Sequence, residues 1–137
     1  MSFGLVVLAV DPGATDVAVR AMAERCQSLH HPEGELDDRI VGFYENLRAR
    51  YPDFPPYDHD SPWMDMPLNV GIDHVSMYLS FSERSTLALQ LIDQLARRYD
   101  LTIYDPQDDE VTRPTDVRAP MDPAIVALIE ELRPPNR

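Results

Sequence analysis

The chain has no lysine. All 12 of its basic residues are arginine, set against 24 acidic ones, and the net charge is −12. A chain so short of positive charge lacks the clustered cations that phosphate backbones require, which excludes nucleic acid as a direct partner. Attraction to anionic membrane surfaces is excluded for the same reason. Cysteine is nearly absent too. Cys26 stands alone, so an intrachain disulfide framework is ruled out and a reducing compartment fits. No apolar run approaches the ~18–20 residues of a membrane span. The longest, residues 5–10, reads as a buried strand. No basic stretch precedes an apolar one at the N-terminus, so a secretory signal is not expected and the expected location is cytoplasmic.

What the chain does have is negative charge in two concentrated stretches. Residues 57–75 carry Asp58, Asp60, Asp65 and Asp73 with no arginine, and residues 105–111 carry Asp105, Asp108, Asp109 and Glu110, again with none. Charge gathered on loops, rather than spread for solubility, suits a surface that meets something positive.

Hydrophobic periodicity predicts one α+β domain over residues 1–132, with 133–137 as a short C-terminal tail. Residues 3–10 form a continuous apolar run that ends at Asp11-Pro12-Gly13, a strand followed by a turn. Thr15 then caps a helix on which Val17, Ala21, Met22 and Cys26 hold helical spacing. A second helix starts near Asp37, with Ile40, Phe43, Tyr44 and Leu47 on one face. Residues 54–67 lack periodicity and read as a long ordered loop. Residues 68–72 and 75–81 pattern as a hairpin, the second strand alternating Val75, Met77, Leu79 and Phe81 with polar neighbours. Ser82 is placed to cap a third helix whose buried face is Ala88, Leu91, Ile92 and Leu95. Residues 101–104 make a last strand, and Asp122-Pro123 opens a fourth helix. Without the second and last helices the order is β-α-β-β-α-β, the split β-α-β arrangement of ferredoxin-like folds. The expectation is a four-stranded, largely antiparallel sheet with helices on one face plus extra helices.

Catalytic and metal signatures are weak. His30, His31, His59, His74 and Cys26 show none of the CxxC, HxxxH or HExxH spacings of zinc sites. Asp58-His59-Asp60 with Asp65 lacks the spacing and glycine of a calcium loop. Cys26 falls on a helix stripe, where a free thiol packs as a small hydrophobe. Ser80, Ser82 and Ser85 lie downstream of His74 but in no nucleophile-elbow motif. The strand-to-helix turn over residues 11–16 carries two carboxylates that would repel a phosphate. No metal, no cofactor and no catalytic residue is therefore expected. The better candidates are contact residues. Trp63, the one tryptophan, sits between Asp60 and Asp65 with Tyr57 nearby, and aromatics among carboxylates are what protein hot spots use.

Several short motifs recur together: Arg50-Tyr51-Pro52-Asp53, Asp60-Ser61-Pro62-Trp63, Leu79-Ser80-Phe81-Ser82, Leu95-Ala96-Arg97-Arg98, and Leu101-Thr102-Ile103-Tyr104-Asp105-Pro106-Gln107. Over residues 3–110 the chain resembles a group of small bacterial proteins of actinobacterial type that look like toxin-immunity proteins. The resemblance implies a stoichiometric inhibitor and no catalytic residues. The expected function is an acidic, cytoplasmic protein that neutralises a basic toxin or effector domain by binding it. Its contact residues would be Tyr57, Asp58, Asp60, Trp63, Asp65, Asp108, Asp109 and Glu110. The alternative is a small enzyme or ligand-binding domain, with a pocket between the 54–67 loop and the sheet where His74, Tyr78 and Asp105 converge.

Overall fold

A computed structural model describes residues 2–26, 34–55 and 61–116, together with Pro123 and Ala127. The expected helix from Asp122 lies mostly outside these residues. The sheet is open and antiparallel, with five strands in the order β2-β3-β1-β4-β5. They are β1 (Ser2–Leu8), β2 (Asn69–Val70), β3 (His74–Ser80), β4 (Thr102–Asp105) and β5 (Glu110–Thr112).

β1 is central, paired with β3 along its whole length and with β4 from Val6 to Leu8. This explains its composition. A strand covered on both faces has no place for alternation, and Leu5, Val6, Val7 and Leu8 are all buried. Leu5 and Val7 belong to the larger core with Val75, Met77 and Leu79 of β3. Val6 and Leu8 point the opposite way, into a smaller cluster.

Helices α2 (Asp38–Arg50) and α3 (Glu83–Arg98) cover the first face. Of the expected α2 face Ile40, Phe43 and Leu47 are buried while Tyr44 is half-buried and Asn46 joins them, and on α3 the expected Ala88, Leu91, Ile92 and Leu95 are all buried. Asp37 caps α2 through the Arg39 N–H. Ser82 occupies the cap position of α3, but its side chain makes no capping bond and turns to the Ser80 hydroxyl at 2.7 Å.

Helix α1 (Asp16–Cys26) departs from the expected layout, because it lies on the opposite face of the sheet. Thr15 does cap it, Oγ1 accepting the Ala18 N–H at 3.2 Å. Its buried stripe is Val19, Met22, Ala23 and Cys26, whereas Val17 is exposed. Two residues are about 200° of helix rotation, so a stripe anchored on Val19 must turn Val17 to solvent. The four-stranded expectation also falls short by one strand. β5 returns along β4 after a four-residue turn and pairs Glu110, Val111 and Thr112 with Asp105, Tyr104 and Ile103.

Helix α2 meets α3 across Gly42. A Cβ there would stand 2.3 Å from Tyr99 Cε1, and Tyr99 is held by the Asn46 amide donating to its hydroxyl at 2.6 Å. Gly42→Ala gains about 1 kcal/mol of helix propensity and incurs about 1–3 kcal/mol of overpacking against a buried ring. The expected net result is lower stability, read as a reduced urea midpoint. An unchanged or raised midpoint would mean the ring has room to move.

Candidate binding surface

The two faces of the sheet are not equally covered. On the α1 side, the helix packs over the end carrying Leu8, Val6, Tyr104 and Val111. The other end of that face, with Gly4, Ser76 and Tyr78, lies open and forms a cleft of about 400 Å³. Asp65 and Asn69 line it from the segment preceding and entering β2, and Gln107 lines it from the β4–β5 turn. Thus residues from both acidic stretches meet at one cleft.

Local chemistry builds each part. Gly4 faces Tyr78 across the β1–β3 pair, and a Cβ there would lie 3.1 Å from the Tyr78 ring. Glycine lets the ring lie across β1, and Tyr78 remains 46% exposed. β4 no longer pairs with β1 beyond Val6, and the Gln107 side chain takes its place. Its Oε1 accepts the Gly4 N–H at 2.8 Å, and its Nε2 donates to the Gly4 carbonyl at 2.8 Å. Asp105 holds this amide in turn, Oδ1 accepting from Gln107 Nε2 at 2.6 Å and from its backbone N–H at 2.9 Å.

The expected contact residues divide into three groups. Asp65, Asp108 and Glu110 are exposed, as a contact surface needs. Asp109 is exposed but committed to the fold. It occupies a left-handed turn position with φ 51°, accepts Arg20 Nε at 2.7 Å and accepts the Tyr104 hydroxyl at 2.8 Å. The Arg20 bond, then the Tyr104 bond, hold its carboxyl below the usual range, and Tyr104 is raised by the same contact. Tyr57, Asp58 and Asp60 lie outside the described residues.

Trp63 requires a correction. It is 5% exposed and packs in the larger core, with its ring edge-on to Tyr51. Its indole N–H donates to the Tyr51 carbonyl at 2.9 Å. Its neighbours extend the sheet edge: Ser80 N–H donates to the Pro62 carbonyl and Met64 N–H to the Tyr78 carbonyl. A side chain so enclosed supplies stability and offers no ring face to a partner. The loop over residues 61–67 is therefore partly strand-like and fastened at its tryptophan.

Of the groups expected to converge in a ligand pocket, only Tyr78 lines the cleft. His74 is buried at the α1-covered end of the same face, and Asp105 is engaged by Gln107. A second, more apolar groove of about 510 Å³ runs on the other side of β2, between Leu36, Val41 and Tyr44 of the α2 region and Phe54, Leu68 and Val70. Tyr44 donates to Asp53 there at 2.6 Å, and burial, then that bond, push its hydroxyl up to about 12.

Three metal-ligating residues also converge among the described residues: Cys26, Asp73 and His74. Their spacing in sequence gave no hint of it, since Cys26 and Asp73 are 47 residues apart. His30, His31 and His59 lie outside the described residues. Among the described residues, no helix is long and apolar enough to cross a membrane. No family model, curated protein or solved structure matches the chain.

Proposed function

We propose that the chain is an immunity-type binding protein that neutralises a basic toxin or effector domain by stoichiometric contact. One observation carries this reading: Asp65 and the Pro106-Gln107 turn, which belong to acidic stretches far apart in sequence, line the same cleft. Exposed Asp108 and Glu110 adjoin that turn, and Tyr78 offers a half-exposed aromatic ring between the two acidic margins. Carboxylates around an aromatic centre suit arginine or lysine side chains of a partner, through ion pairs and ring stacking. The net charge of −12 would steer a basic partner toward contact, by ~10–10³-fold at low salt. Strand order β2-β3-β1-β4 supports a ferredoxin-like reading of the core, with β5 and α1 as additions. A single free cysteine and strong acidity support a cytoplasmic setting.

The small-ligand alternative is favoured by the cleft itself, which lies between residues 65–69 and the sheet. Its weakness is the scatter of the polar groups it needs.

The test is zero-length carbodiimide coupling in lysate of the source cell, followed by mass spectrometry of the joined peptides. The expected product links a lysine of one basic protein to Asp65, Asp108 or Glu110. Reversing those three to arginine should then slow association with that protein at least tenfold at low salt and flatten its salt dependence, while the melting temperature holds. Links confined to other faces, or unchanged association kinetics, would remove the proposal.

A further inference from the structure

The α1-covered end of the same sheet face carries a chemistry that the binding surface does not use. Cys26 ends α1 on its buried stripe and is 5% exposed; His74 opens β3 and is 1% exposed. Asp73 stands between them, its side chain about one-third open to solvent. One oxygen joins the set: Asp73 Oδ1 lies 3.1 Å from His74 Nδ1 and 3.9 Å from Cys26 Sγ. One ligand atom from each of the three residues lies within 4.8 Å of the other two.

We propose that Cys26, Asp73 and His74 form a three-ligand site for a zinc-class transition-metal ion. Two of the three ligand-to-ligand distances lie near the edges of a tetrahedron, and the third, from Cys26 to His74, is no more than 4.8 Å. Bond lengths of about 2.0–2.1 Å to nitrogen and oxygen and about 2.3 Å to sulfur set those edges near 3.3–3.6 Å. The observed 3.1 Å and 3.9 Å edges reach those values by shifts of a few tenths of an ångström. The donor set selects the metal class. A thiolate and an imidazole suit zinc and its neighbours, whereas magnesium and calcium take oxygen ligands.

The backbone around the site is built to hold the imidazole in place. Gly71 lies against the ring, where a Cβ would stand 2.2 Å from Cε1 and 2.5 Å from Nδ1. Its N–H donates to the His74 carbonyl at 2.8 Å, closing the β2–β3 turn. The Asp73 carbonyl accepts the Ala9 N–H at 2.8 Å, fixing the carboxylate beside the end of β1. Two ligands thus come from one rigid turn, and the third from the last residue of a helix laid over it. Three protein ligands leave the fourth position to water or to a donor from solvent, on the side where Asp73 is open. The bonds made run from Cys26 Sγ, Asp73 Oδ1 and His74 Nδ1 to the metal; the S–H bond breaks and its proton passes to solvent, while His74 binds as the tautomer protonated at Nε2 and gives up its Nδ1 hydrogen bond to Asp73. The ion would tie the C-terminal end of α1 to the sheet independently of the acidic cleft.

The test uses the full chain with cobalt(II), a spectroscopic stand-in for zinc, and then zinc itself. One equivalent of cobalt should give a thiolate-to-metal charge-transfer band in the ultraviolet and the visible bands of a tetrahedral ion, both removed by one equivalent of zinc. Cys26 is the sole thiol, so that band reports it without ambiguity. Asp73→Asn should weaken cobalt binding at least tenfold, and Cys26→Ala should abolish the band while the fold persists by circular dichroism. Zinc should raise the thermal midpoint of the wild type and leave that of Cys26→Ala unmoved. A wild type with no thiolate band at stoichiometric cobalt overturns the proposal, and it does so even where the variants fail to fold. An equal zinc-induced shift in wild type and Cys26→Ala also overturns it, placing the metal elsewhere on the acidic surface.

Discussion

Replacing Trp63 with alanine should cost about 3–5 kcal/mol, a large share of the 5–15 kcal/mol that holds a domain of this size folded. Three losses combine. The indole leaves a cavity among Tyr51, Leu79 and the other residues of the larger core. The Tyr51 carbonyl, which accepts the indole N–H at 2.9 Å, loses its donor at the point where α2 ends. The strand-like pairing of residues 62–64 with β3 loses the side chain that pins it. Trp63→Phe keeps most of the burial and forfeits the hydrogen bond, so its expected cost is smaller, about 1–3 kcal/mol. Urea unfolding followed by circular dichroism gives both values. A loss below about 1 kcal/mol for Trp63→Ala would return the ring to the surface and restore it as a contact residue.

The contrast between Trp63 and the helices shows which parts of this fold are legible in sequence. Ile40, Phe43 and Leu47 reveal their burial because helix geometry converts spacing into a face. Val75, Met77 and Leu79 do so because strand geometry alternates faces. A loop has no such rule. The proline-rich surroundings of Trp63 were compatible with a ring turned in or out, and only its pairing with β3 decides the matter. β5 is hidden for a related reason: Val111 and Thr112 suit a strand, but a three-residue segment that opens on Glu110 is too short to show a pattern and becomes a strand only through the β4 edge. α1 carries two possible apolar stripes, and the one used depends on which face of the sheet the helix reaches. Asp109 could not be distinguished from Asp108 by type, yet its left-handed backbone and its bond to Arg20 tie it to the fold. The cleft itself follows from α1 covering one end of a face, a fact about helix placement that no local pattern encodes.

Asp53 offers the second large effect, and it bears directly on the cleft. The residue is 1% exposed, and a single oxygen, Oδ2, accepts both the Tyr44 hydroxyl at 2.6 Å and the Leu68 N–H at 3.0 Å. Its other oxygen, Oδ1, is buried without a hydrogen-bond partner among the described residues. Asp53→Ala leaves the buried Leu68 N–H and the half-buried Tyr44 hydroxyl without their acceptor and should cost about 2–4 kcal/mol. Asp53→Asn should cost less than half of that. The amide oxygen can take the place of Oδ2 and keep both bonds, and the substitution removes a buried charge, which offsets part of the cost of placing the amide N–H donors where Oδ1 has no partner among the described residues. The same substitution should lower the Tyr44 hydroxyl from its position near 12, because the neighbouring carboxylate is one of the groups raising it. Equal losses for alanine and asparagine would show that the carboxylate itself, rather than its one bonded oxygen, holds the junction. Leu68 precedes β2 and lines both the acidic cleft and the apolar groove. Asp53→Ala should therefore speed hydrogen exchange at the Leu68 amide and, under the proposed function, weaken binding of the basic partner. Asp53→Asn should do neither, which separates a loosened cleft margin from a merely less stable fold.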